Sequence, residues 1–427
     1  MTRTLTRLAL LASAACSFPA LAAPTPEQVA LAALKAAPVM DAHNDVPEQL
    51  RDRRKDVLGV PGQPGAFDFR DTTNTADAAA GLAPMMTDLA RIRKGHLGAQ
   101  IWSVYVSAGL TDQQAVQATL EQIDVMKRVI AQNPRDMQLC GTAACVEGAM
   151  KAGRVGSMLG MEGGHSIGGS LGVLRQMYEL GARYMTLTHF KNTPWADSAT
   201  DAPLHGGLTD FGRTVVKEMQ RIGMLVDLAH VSADTMRDAL EVARAPVIVS
   251  HSNARAINSH PRNVPDDVLD LIKTNGGIVM VNFYPSYVVE ATRQWDASKA
   301  AEKARQDALN RGDPKAAASA LDAWVKANPM PIGSVADVAD HLDYIKKRIG
   351  ADHVGLGGDI DGIEVAVKGM EDVSGYPALF TELARRGWSQ AELEKLSDRN
   401  ILRVLKAAEA FAAAHKADPP YESATTF

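Results

Sequence analysis

Short apolar runs that stop on a histidine or a carboxylate recur along this chain, and that recurrence narrows the folds open to it more than any single motif does. Eight segments rich in Val, Ile, Leu and Met read as buried strands: Pro38 to Asp45, Leu97 to Ser107, Val155 to Glu162, Ala182 to His189, Met224 to His230, Pro246 to His251, Gly277 to Phe283 and Val354 to Asp361. Four of the eleven histidines, His43, His189, His230 and His251, fall at the ends of these runs, as do Asp45, Glu162 and Asp359.

Amphipathic stretches separate the runs. Asp112 to Gln132, Leu171 to Leu180, Leu208 to Ile222, Ala233 to Ala243, Pro265 to Thr274 and Val335 to Ile349 carry helical spacing. Thr111 and Ser232 stand where an N-cap is needed, and Gly181, Gly223 and Gly276 where a left-handed stop is needed. Eight parallel strands joined by right-handed helical crossovers close into an α/β (β/α)₈ TIM barrel, a fold that gathers its chemistry at the C-terminal strand ends. Two segments depart from the repeat. Arg51 to Asp71, charged and rich in Gly and Pro, reads as a long loop after the first strand. Val288 to Met330, alanine-rich and broken at Arg311-Gly312-Asp313-Pro314, reads as a helical insertion after strand 7. It is expected to overhang the barrel mouth as a lid or wall, the alternative being a solvated excursion.

The N-terminus bears on the compartment. Arg3 and Arg7 precede the apolar run Leu8 to Cys16, and Ala20-Leu21-Ala22 offers small residues for cleavage, so Met1 to Ala22 reads as a signal peptide for a periplasmic or secreted protein. The run is too short to span a membrane. Cys16 follows Ala14-Ala15 as in a lipoprotein, but Ser13 stands where a large aliphatic is usual, which disfavours a lipid anchor. One domain, residues 23–416, follows, and residues 417–427 read as a flexible tail. Losing Arg3 and Arg7 moves the formal charge from −5 to −7, which argues against a nucleic-acid partner. Cys140 and Cys145 are the remaining cysteines; their spacing permits a small disulfide loop without requiring one.

In Met40-Asp41-Ala42-His43-Asn44-Asp45 strand alternation puts His43 and Asp45 on one side, where both can hold one cation. Glu162, followed by Gly163-Gly164, can offer one oxygen to each of two cations. His230 and His251 close consecutive runs in the same register. His43, Asp45 and Glu162 then make one metal site, and Glu162, His230 and His251 the other. Three protein ligands per ion leave room for a water, and a nitrogen-rich, thiolate-free set suits two Zn²⁺ best, with Mn²⁺, Co²⁺ or Fe²⁺ also compatible.

These residues carry a specific resemblance. From about Val39 to about Ala408 the chain resembles the membrane (renal-type) dipeptidase family, the M19 group of binuclear zinc peptidases among the amidohydrolase-like barrels. The match runs through Asp41-Ala42-His43-Asn44-Asp45, Glu162-Gly163, Tyr184-Met185-Thr186-Leu187-Thr188-His189, Asn192-Thr193-Pro194-Trp195-Ala196, Arg262-Asn263-Val264-Pro265-Asp266-Asp267, Val281-Asn282-Phe283-Tyr284 and Gly357-Gly358-Asp359-Ile360-Asp361-Gly362. The resemblance implies the same metal ligands, hydrolysis of small dipeptides by a hydroxide held between the cations, tolerance of a D-residue on the carboxyl side, and homodimers. It also implies that His189 donates to the carbonyl oxygen as charge builds there, that Asp359 is the acid/base carboxylate, and that Arg262 clamps the terminal carboxylate with Tyr287 as a second contact.

Read without the resemblance, His189 could pack beneath the rim, Arg262 could neutralise Asp266 or Asp267, and Tyr287 could be core. The insertion directly follows Tyr287, so substrate range stays open. A metal-dependent amidohydrolase of N-acyl amino acids or lactams is one alternative. A non-catalytic metal-containing binding protein is another.

Overall fold

The structure is a computed structural model that describes residues 23–53, 58–59, 66–75 and 83–422. The signal-peptide reading of Met1 to Ala22, Cys16 with it, and much of the Arg51 to Asp71 segment lie outside the described residues.

Nine parallel strands form the sheet: β1 (Val39–Asn44), β2 (Leu97–Tyr105), β3 (Met137–Leu139), β4 (Val155–Glu162), β5 (Ala182–Thr186), β6 (Leu225–Asp227), β7 (Ile248–Val249), β8 (Ile278–Val281) and β9 (Val354–Leu356). β1 pairs with both β2 and β9, and β2 also pairs with β4, so eight strands close a ring. This is the expected (β/α)₈ barrel. β3 stands outside the ring: it pairs with Val155 to Ser157 of β4, before β5 joins that edge at Leu159. With only three residues it has no periodicity to read.

Strand alternation divides the core in two. Met40, Ala42, Ala99, Ile101, Met158, Tyr184, Leu225, Ile248, Ile278 and Met280 come from different strands yet share one buried cluster, which is the barrel interior. Ile401, Leu402, Leu405 and Ala408 of the helix Asn400–Ala414 belong to the same cluster. Neighbours of opposite parity, such as Leu159, Met161, Val226, Val279 and Val281, join the layer beneath the surrounding helices.

The ladder ends earlier than the apolar runs suggest. β5 stops at Thr186, β6 at Asp227, β7 at Val249 and β9 at Leu356, so His189, His230, His251 and Asp359 sit on the loops just beyond their strands. Within those loops His230 (φ 63°) and Asp359 (φ 60°) adopt left-handed backbone, which no strand could hold. Held by non-glycine residues, it costs on the order of 1–2 kcal/mol each.

The expected helices form, within a residue or two at their ends. Asp112–Gln132 and Val335–Ile349 match, Thr111 builds a capping box with Gln114, and Ser232 Oγ accepts the Thr235 N–H. Pro26–Ala36, Ala143–Lys151 and Tyr376–Arg385 are additional helices. Arg51 to Arg53 end the helix Val46–Arg53 rather than begin a loop, because the chain turns into helix directly after β1. The insertion is a helical pair, Glu290–Leu309 and Pro314–Ala327, turning where Asp313 caps the second helix. It packs on itself through Trp295 and Trp324, whose rings lie 6.0 Å apart. Beyond Lys416, Tyr421 is tied down: its N–H meets Glu218 and its carbonyl accepts from Arg175. Cys140 and Cys145 are joined by a disulfide at the start of Ala143–Lys151. No described helix is long and apolar enough to cross a membrane.

Candidate functional site

The strand-end residues converge on Glu162. Its Oε2 lies 3.3 Å from His43 Nε2, while its Oε1 lies 3.0 Å from His230 Nε2, 3.4 Å from His251 Nε2 and 3.6 Å from His189 Nε2. Asp45 Oδ2 stands 3.4 Å and Asp359 Oδ1 3.9 Å from His43 Nε2. All seven side chains are buried. The carboxylate of Glu162 thus has one oxygen toward His43 and Asp45 and the other toward His230 and His251.

Local backbone features aim these groups. β1 carries one extra residue between Asp41 and Asn44 relative to β2, because Asp41 Oδ1 accepts the His43 N–H and interrupts the ladder. His43 turns inward there, and its Nδ1 meets Tyr184 Oη at 2.7 Å. At His251 the hydrogen bonds form a relay. Ser250 Oγ donates to Asp227 Oδ2 at 2.6 Å, so it accepts from His251 Nδ1 at 2.7 Å, leaving the Nε2 lone pair facing Glu162. A Cβ at Gly362 would stand 2.1 Å from Asp45 Oδ2 and 2.8 Å from Asp359 Oδ1, so only glycine lets the chain pass this close.

Charge in the cluster is unbalanced. Burial drives His230 and His251 well below the ordinary imidazole range, toward the neutral form that ligates metals. Burial by itself would raise Glu162, but His43, His189 and a hydrogen bond from His230 pull it well down. Asp359 is pushed up to about 8 by burial, with His43 opposing and Asp45 and Glu162 adding to the push. His43 Nε2 and both carboxylate oxygens of Asp45 are buried without a hydrogen-bond partner. Such atoms are costly unless a cation takes them up, so the residues present fit a metal. Ligand-type atoms of His43, Asp45 and Glu162 lie within 4.8 Å of one another, as do those of Glu162, His189 and His230, and of His43, His251 and Asp359.

A cleft of about 290 Å³ opens over the cluster, lined by Asp45, Glu162, His189, His230 and Asp359 together with Glu48, Tyr105, Phe190, Tyr284 and Tyr287. No lining residue comes from the helical pair Glu290–Ala327. Tyr287 reaches the cleft, whereas Arg262 behind it is fully buried, donating to Ser252 Oγ at 2.9 Å and to the His251 carbonyl at 3.2 Å. The Arg262 guanidinium lies 5.2 Å from the Tyr287 ring centre, and its Nε has no partner. It does not serve Asp266 or Asp267, which pair with Arg348 and Arg237.

The membrane dipeptidase family, peptidase family M19, matches residues 27–419. The chain belongs to this family. It is 40% identical over 391 residues to dipeptidase 3 of Macaca fascicularis, covering 90% of this chain and 68% of that protein. The probable dipeptidase PvdM from Pseudomonas aeruginosa shares the fold, with a TM-score of 0.76, 23% identity and coverage of 91% of this chain and 99% of its own. So does a metallo peptidase from Rhodobacter sphaeroides, solved with a phosphinate mimic of the dipeptide L-Ala-D-Ala: TM-score 0.68, 23% identity, 87% of this chain and 99% of that one. Membership makes the chain a metallodipeptidase, and the cluster around Glu162 offers groups that could hold its metal.

Several contributors were not singled out in the sequence. Tyr184 and Asn282 lie inside quoted motifs without a role of their own, and Glu48 and Tyr105 had none. Tyr184 and Tyr105 share the inward parity of β5 and β2, the one signal that pointed to them.

Proposed function

We propose that this metallodipeptidase holds two Zn²⁺ and hydrolyses small dipeptides with a free carboxylate, those ending in a D-residue included. The observation that carries the reading is the split of Glu162, one oxygen toward His43 and Asp45 and the other toward His230 and His251. His43, Asp45 and Glu162 would hold one ion, and Glu162, His230 and His251 the other. When bound, the cations polarise the scissile carbonyl and supply a water acidic enough to attack it at neutral pH.

The chain's own residues do the rest. His189 Nε2–H, beside Glu162 at the cleft wall, donates to the carbonyl oxygen as it gains negative charge. Asp359 accepts the proton of the attacking water and returns it to the departing amine. Its carboxylate is oriented by Asn282, whose Nδ2 donates to Asp359 Oδ2. Arg262 and Tyr287 form the end that takes the substrate carboxylate, Tyr287 at the cleft and the guanidinium 5.2 Å from its ring centre. Met1 to Ala22 directs export to the periplasm or beyond.

Ala-Ala, L-Ala-D-Ala and N-acetyl-alanine assayed side by side on the metal-loaded protein test the reading; the second substrate is chosen after the Rhodobacter neighbour's phosphinate ligand. Hydrolysis of the two dipeptides is expected, and activity confined to N-acetyl-alanine would replace the dipeptidase with an amidohydrolase of acylated amino acids.

A further inference from the structure

Glu48 is a carboxylate in the cleft that the mechanism does not use. It lies in the first turn of Val46–Arg53, immediately after β1, and lines the cleft beside Asp45 and Tyr105. Among the described residues it has neither hydrogen bond nor ion pair. The nearby cations on its own helix are engaged elsewhere: Arg51 with Glu121, and Arg53 with Gln49 and the carbonyls of Thr75 and Ala83.

Its place in the ring gives the lone acid a meaning. In the closed order β1, β2, β4 to β9, β2, which bears Tyr105, stands opposite β7, the strand that leads to Arg262, and β1, which leads into the Glu48 helix, lies beside β2. A dipeptide is a zwitterion with its ammonium two bonds from the scissile carbonyl carbon and its carboxylate on the far side of the bond. With the carbonyl over Glu162 and the carboxylate toward Arg262, the ammonium points to the β1–β2 wall. We propose that Glu48 receives the free α-ammonium of the substrate and so selects dipeptides over N-acylated amino acids. This rests on the dipeptidase reading.

The test compares Ala-Ala with propionyl-alanine, the same skeleton without the amino group, on wild type and Glu48→Gln carrying equal metal by elemental analysis. Wild type is expected to favour Ala-Ala. Glu48→Gln should lose about 10- to 100-fold in kcat/KM on Ala-Ala, chiefly through KM, with propionyl-alanine unchanged whether followed by turnover or as a competitor, so the preference collapses. An equal fall on both compounds, or no change on either, overturns the role of Glu48 and leaves the dipeptidase reading standing. Wild type that hydrolyses propionyl-alanine and not Ala-Ala overturns that reading, and this inference with it.

Discussion

Asn282 donates its side-chain amide to Asp359 Oδ2 at 2.8 Å, which leaves Asp359 Oδ1 facing His43 Nε2 at 3.9 Å. Asn282 is itself held by Asn253, which accepts the Asn282 N–H and donates to its carbonyl, so the Asp359 carboxylate is oriented by a buried amide pair rather than by solvent. Asn282→Ala is expected to lower kcat about 10- to 100-fold with metal content unchanged, whereas Asp359→Asn should cost about 10²- to 10⁴-fold. Steady-state kinetics with elemental analysis check both. Full activity in Asp359→Asn would remove that residue from the chemistry.

His189 and His230 face the same oxygen of Glu162, at 3.6 and 3.0 Å, yet they are assigned different work. His230→Ala should lose metal. His189→Ala should retain it and lose about 10²- to 10³-fold in kcat, the usual weight of one oxyanion donor. Metal analysis of the purified variants separates the roles, and loss of metal from His189→Ala would make His189 a ligand.

Tyr184 anchors His43 from inside the barrel, Oη to Nδ1 at 2.7 Å, while desolvation holds its phenol well above the ordinary range. Tyr184→Phe keeps the ring and removes the anchor. Metal affinity, measured by competition with a chelator, is expected to fall about 10-fold or more.

The barrel was legible because eight buried strands must read as apolar runs, and the cluster around Glu162 because His43, Asp45, Glu162, His230 and His251 end those runs. What escaped the sequence was decided by contacts across the ring. Asn282 matters through Asp359, far away in the chain, and Asn is an ordinary strand-end residue. From sequence Arg262 could equally neutralise Asp266 or Asp267, but those are taken by Arg348 and Arg237, and Arg262 lies buried beside Tyr287. The strands stop three residues short of His230 and Asp359, whose left-handed backbone no side-chain pattern announces. The helix Pro26–Ala36 did carry a signal, the Thr25–Gln28 capping box, but lies in an alanine-rich stretch with weak periodicity.

Away from the metal centre, Asp398 on the turn before Asn400–Ala414 is pushed up to about 7, by burial first, with Arg399 opposing and Glu147 and Glu394 adding. Its folded pKa exceeds the unfolded value near 4, so the stability it confers is fully present below about pH 4 and is lost as pH rises to about 7. Asp398→Asn should remove that loss. Its thermal midpoint is expected to exceed wild type by about 2–5 °C at pH 8, with a smaller gap at pH 5. A gap of the same size at both pH values would contradict the assignment.

Glu162 is proposed to join two metal ions, and the number of ions bound per chain reports on this directly. Metal-depleted protein titrated with Zn²⁺ and followed by elemental analysis should bind two equivalents, with Glu162→Gln weakening both. A single equivalent in wild type, or two retained with undiminished affinity in Glu162→Gln, would contradict it.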